Sequence, residues 1–266
     1  MIGMMQVNLR GNIVSLFSKR KKILAIGCSY TDHWYGEKYG FSTWPEILAD
    51  KLDMHCYNYG KAGSGNNYIF EKMYDKIYEE EFDLVVLMWS EFQRLDFQWH
   101  GKGWLSLHPH RIKTLEKYAM NISGKRSLLK YANIHSMTQH SLRLFHLTQT
   151  LLKDIPYIMV QGTRCVCAPV GFGFDQSDGY WRVLEKECIE SMLKSPYIDK
   201  IDEDKFLGFP LLRPIGGWDM DTVMDKLDPD RKKYRIGGPT GDTHPNEEGH
   251  KYMAGVIYDA YQKLYS

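Results

Sequence analysis

The chain has 266 residues, of which 43% are hydrophobic and 25% charged, with a formal net charge of +1. That length supports an ample core, in one large domain or two small ones, and the composition is ordinary for a soluble globular protein. The near-zero charge and the lack of a basic stripe exclude a nucleic-acid groove, and no apolar run approaches the length of a bilayer span.

Residues 1–21 form an extension ahead of the first strand. Within it, Ile13-Val14-Ser15-Leu16-Phe17 is too short for a signal core, and most positive charges follow it instead of preceding it. The expectation is a cytoplasmic protein without a Sec-type leader. The cluster Lys19-Arg20-Lys21-Lys22 reads as a solvated strand entrance. Residues 22–27 then form the first strand, with Ile23-Leu24-Ala25-Ile26 buried, and Gly27-Cys28-Ser29-Tyr30-Thr31 turns away from its end. Thr43-Trp44-Pro45-Glu46 is a capping box that opens a helix through about Lys51.

Met54 to Asn58 is a short second strand, followed by the glycine-rich turn from Gly60 to Gly65. Ile69, Met73 and Ile77 recur every four residues in the next helix. Phe82 to Trp89 is nearly all apolar, as expected of a strand covered on both faces. A long helical region over about 125–153 puts Leu128, Tyr131, Ile134 and Met137 on a stripe continued by Leu144, Leu147 and Leu151. Pro156 to Gln161 is a further strand. Residues 162–235 read as an irregular cover, rich in Gly, Pro and Asp. The last helix begins at about Glu247, with Met253, Ile257 and Tyr261 on one row and Tyr252, Val256, Ala260 and Leu264 on the next.

Strand and helix alternate, which predicts a parallel sheet with helices on both faces and a site beyond the carboxyl ends of its strands. Ser29, the Gly60–Gly65 turn and Ser90 all follow strand ends and converge there. No linker or repeat divides the chain, so residues 22–266 are expected to form one domain. The five cysteines, Cys28, Cys56, Cys165, Cys167 and Cys188, lack framework spacing and fit a reducing compartment. Cys165-Val166-Cys167 has no second pair to complete a metal site.

Two segments carry candidate chemistry. A serine becomes a nucleophile beside a base, and the base needs an orienting partner. Ser29 offers the hydroxyl, while Asp242-Thr243-His244-Pro245-Asn246 offers an imidazole and a carboxylate before the last helix. Blander readings stand beside these. Ser29 or Thr31 can cap a helix, and Gly60 to Gly65 can be a plain loop or a phosphate cradle, though it matches neither nucleotide-binding glycine pattern. His108-Pro109-His110, His135, His140 and His146 read as exposed or satisfied histidines. Trp99 and Trp104 suit a sugar platform or a core. Glu91 and Arg94 either contact a substrate or form an exposed pair.

Taken together, three blocks resemble the GDSL/SGNH hydrolase family. Gly27-Cys28-Ser29-Tyr30-Thr31 resembles its nucleophile block, Asn58-Tyr59-Gly60-Lys61-Ala62-Gly63 its second block, and Asp242-Thr243-His244-Pro245-Asn246 its terminal block. They occur in the family's order over roughly residues 22–264, and the nearest likeness is to small phage and bacterial members. The resemblance implies a three-layer, flavodoxin-like α/β fold and a serine esterase or acylhydrolase. Its triad would be Ser29, His244 and Asp242. The Gly63 amide would serve the oxyanion hole, with Ser90 where the family has an asparagine. The implied substrate is a small-molecule or glycan ester, an O-acetylated carbohydrate by preference, and no metal or organic cofactor is required. The rival class is a binding or structural protein on the same scaffold with weak or no turnover, and a third reading is acyl transfer to an acceptor other than water. Two departures stand out. Ser90 replaces an asparagine donor, and Asp242 lies two residues before His244 where the family usually has three.

Overall fold

The computed structural model describes residues 20–99, 101, 103–108, 133–166, 178–238 and 241–266. In chain order, β1 (Lys22–Gly27) leads to α1 (His33–Tyr39), α2 (Trp44–Leu52), β2 (His55–Asn58), α3 (Asn66–Glu79) and β3 (Leu84–Trp89). A hairpin of β4 (Leu95–Trp99) and β5 (Gly103–Leu107) follows, then α4 (Ile134–Leu151) and β6 (Tyr157–Gln161). The chain closes with α5 (Asp178–Leu193), β7 (Phe206–Leu207), α6 (Met220–Leu227) and α7 (Glu247–Tyr265).

Five strands make one sheet in the order β2-β1-β3-β6-β7, and every pairing is parallel. The period-two alternation of side chains splits each central strand between two cores. Leu24, Ile26, Val85, Leu87, Trp89 and Met159 face one core, which α3, α4 and α5 cover. Ile23, Ala25, Leu84, Val86, Met88 and Val160 face the other, covered by α2, α6 and α7. The arrangement is a three-layer α/β fold, as the alternating elements predict. Its strand order reverses between β1 and β3, which is where such sheets open a crevice beyond the strands' carboxyl ends.

Several expectations need correction. Residues 162–235 are not an irregular cover, because they contain α5, the edge strand β7 and α6. Their apolar residues are sparse but spaced at four: Leu184, Cys188 and Met192 enter one core, and Met220 and Met224 the other. A stripe one residue wide is hard to see among charged neighbours. In α4, Ile134, Met137 and Leu144 are buried as expected, whereas Leu147 is exposed and Phe145 takes the inward position. Leu128 and Tyr131 lie outside the described residues, as do Cys167, Pro109 and His110. At Thr43 the capping box is altered: the hydroxyl meets the Glu46 carboxylate instead of a backbone amide. Glu46 in turn accepts a bond from Asn58 of β2 at 3.1 Å, so the box ties helix to sheet.

Candidate active site

The turn that carries Ser29 is built by its own backbone. After β1, the N–H groups of Thr31 and Asp32 both donate to the Cys28 carbonyl, at 2.9 and 3.1 Å. A side chain at Gly27 would put its Cβ 2.1 Å from Thr31 Oγ1, so the turn closes only on glycine. Helix α1 is capped by Asp32, whose carboxylate accepts the Trp34 N–H at 3.0 Å. Neither Ser29 nor Thr31 is used for capping. The Ser29 hydroxyl instead lies 2.9 Å from His244 Nε2. The second Asp32 oxygen accepts the Ala62 N–H at 2.8 Å and locks this turn to the glycine-rich one.

His244 is delivered by the segment before α7. Asn246 caps that helix by accepting the Gly249 N–H, and its amide donates to the Lys233 carbonyl at 2.9 Å. The two-residue spacing from Asp242 to His244 closes as a local turn: one carboxylate oxygen accepts the His244 backbone N–H at 3.0 Å and sits 2.5 Å from Nδ1. Burial would raise the Asp242 carboxyl, but those bonds from His244 and the nearby charge outweigh it and hold it below its ordinary range.

Tyr35 of α1 completes this wall. Its hydroxyl is 3.1 Å from the same Nε2, and its ring stacks on the imidazole with centroids 4.3 Å apart. Burial, reinforced by the Asp242 charge, pushes the Tyr35 phenol up to about 12, so it stays protonated at neutral pH. Neither Tyr35 nor His108 stood out in the sequence as a site residue. A single Tyr among eighteen carries no local signal, and His108 reaches the site only through the β4–β5 hairpin.

Gly63 sits with φ +80, a left-handed conformation that favours glycine. Its carbonyl lies 3.1 Å from His108 Nε2, which orients the peptide from above. Arg94 donates to the Ser64 carbonyl at 2.9 Å and to Glu91 at 2.8 Å. Glu91 and Arg94 are therefore a pair, but one buried to 4% and 6% exposure. Both line the same cleft as Ser29, Gly63 and His244, a space of about 440 Å³. Ser90 does not line that cleft: its side chain is fully buried, its N–H donates to Asn66 at 2.9 Å, and its carbonyl accepts from Gln161.

The facing wall is an ion network. Arg235 binds Asp221 at 2.7 Å, Asp225 at 2.8 Å and the Tyr30 hydroxyl at 2.9 Å. Arg164 and Arg231 both reach Asp225 from the cleft side. The network fastens α6 to the turn that carries Ser29. Among the described residues no group of three His, Cys, Asp or Glu is placed to hold a metal ion. No described helix is long and apolar enough to cross a membrane.

No family model matches the chain, and no curated protein matches its sequence. Among solved structures it is similar to a protein of Desulfitobacterium hafniense described as lipolytic and of the G-D-S-L family. The two share 14% identity, with 91% of this chain and 99% of that one covered and a TM-score of 0.48. A member of the lipolytic G-D-S-L family from Veillonella parvula matches at 14% identity over 92% and 98% of the two chains, TM-score 0.43. An acetyl xylan esterase variant from Geobacillus stearothermophilus matches at 12% identity over 90% and 94%, TM-score 0.48. What the site can do is set by its own side chains.

Proposed function

We propose that the protein is a serine ester hydrolase of the SGNH type, removing a small acyl group through an acyl-enzyme on Ser29. The observation that carries the reading is the line of three groups, Ser29 Oγ to His244 Nε2 at 2.9 Å and Nδ1 to Asp242 at 2.5 Å. In this mechanism His244 takes the Ser29 proton as the hydroxyl attacks the ester carbonyl, and Asp242 holds the tautomer and stabilises the imidazolium. The amides of Ser29 and Gly63 face the developing oxyanion. The His244 proton then goes to the leaving oxygen, and water repeats the sequence to release the acid. A cleft of about 440 Å³ with polar walls suits a compact polar ester, so an O-acetylated carbohydrate is the substrate class we favour.

Ser90 stands where the family has an asparagine donor but does not line the cleft, and this sets the expected rate. Loss of one such donor costs on the order of 3–4 kcal/mol in the barrier. A slow enzyme is expected, and the same feature favours a weak or inactive scaffold as the second reading. A fluorophosphonate probe separates them. Wild type should label and hydrolyse p-nitrophenyl acetate, and Ser29→Ala should do neither. If wild type does no better than Ser29→Ala in both assays, the hydrolase reading fails.

A further inference from the structure

Resting on that reading, we propose that Tyr35 is a catalytic residue that relays the proton from His244 to the leaving oxygen. The neutral imidazole has one lone pair at Nε2, since Asp242 engages Nδ1. Two hydroxyls nonetheless lie beside that nitrogen, Ser29 at 2.9 Å and Tyr35 at 3.1 Å. A triad needs only the first.

The second hydroxyl is held there from several directions. The Tyr35 ring stacks on the imidazole with centroids 4.3 Å apart and on Tyr39 at 6.4 Å, and Trp34 packs edge-on against it. It lines the same cleft as Ser29 and His244, so a leaving oxygen drawn toward Nε2 comes within its reach.

The relay balances as follows. Attack moves the Ser29 proton to Nε2 and forms the Ser29 Oγ–carbon bond. As the tetrahedral intermediate collapses, the carbon–oxygen bond to the leaving group breaks and its electron pair stays on that oxygen. The phenolic proton of Tyr35 moves to the leaving oxygen while the Nε2 proton moves to Tyr35 Oη. His244 and Tyr35 both end neutral, ready for water, and no other reactant is needed.

Leaving-group dependence tests this. p-Nitrophenoxide departs without a proton at neutral pH, whereas an alkoxide needs one. Tyr35→Phe keeps the stacking ring and removes only the hydroxyl. Its kcat/KM should fall by no more than about threefold on p-nitrophenyl acetate but about 10²-fold on ethyl acetate, the scale of general acid catalysis. Equal losses on the two esters would assign Tyr35 a merely structural role and overturn the relay, with fluorophosphonate labelling of Ser29 still upholding the hydrolase. A second measurement needs no variant. For wild type on ethyl acetate, rate against deuterium fraction should be curved, because two protons move together, and a straight line overturns the relay. A protein that neither labels nor cleaves either ester overturns both readings, and the labelling result tells these failures apart.

Discussion

At the scale of single residues, the site depends on which side chains are left without a structural task. Asp32 caps α1, and that leaves the Ser29 hydroxyl for His244. Asp242 spends one oxygen on both the backbone and the ring of His244, so it fixes the imidazole as well as charging it. Asp242→Asn preserves the shape but presents the wrong tautomer, and kcat should fall by about 10³–10⁴-fold with little change in melting temperature. Steady-state kinetics beside a thermal melt checks both halves. The residue types were legible as motifs, and even the shortened Asp–His spacing reads as two side chains on one side of a turn. Ser90 follows the expected strand end, yet its burial depends on Asn66 and Gln161, which hold its backbone from α3 and β6. No local pattern around Ser90 contains those two partners.

At the scale of elements, the segment before α7 does the positioning. Asn246 caps the helix with its oxygen and holds the Lys233 and Arg235 carbonyls with its nitrogen. Asn246→Ala should lose about 1 kcal/mol of stability and lower turnover with it, because His244 lies two residues upstream. Asn246→Asp restores the cap and most of the melting temperature but not the bonds to those carbonyls. Calorimetry on the two variants, paired with kinetics, tests that division. The strongly periodic elements, β1, β3, α3 and α7, were legible because one rule governs each. Helix α5 and strand β7 were not, since a narrow stripe and a two-residue strand acquire meaning only against the sheet they join. The β4–β5 hairpin hid for another reason. One of its own strand residues serves α3: Asp96 of β4 accepts the Gly65 and Tyr68 N–H groups and so caps that helix from a distance.

For the whole molecule, both faces of one sheet are packed, so the site sits on a rigid rim and protonation of buried groups is felt globally. His250, on α7, accepts the Trp44 N–H at 3.2 Å and is 1% exposed. Burial, aided by the His244 charge, lowers its value from an ordinary 6.5 to about 3. Between those values the unfolded chain binds the proton and the folded one does not, so stability falls as pH drops through that window. The depressed Asp242 carboxyl adds loss in the same direction. Asp219 opposes them: burial raises it from 3.8 to about 6, so its proton favours the folded state as pH falls from 6. His250→Gln isolates the first effect. Relative to the variant, wild type should lose on the order of 2–3 kcal/mol between pH 7 and pH 4, read from denaturant midpoints at each pH.

What the chain alone determined was local: apolar periods that make strands and helices, a glycine that closes a turn, caps, and the order of three motif blocks. These follow from interactions between residues a few positions apart, so their information is contiguous. The tertiary structure alone decided that a phenol from α1 stands beside the imidazole and that the Glu91–Arg94 pair is desolvated. It also buried Ser90 away from the cleft and brought His108 onto the glycine turn. Each of those outcomes depends on distances between segments far apart in sequence, which are set by how two layers of helices bury their apolar stripes on one twisted sheet.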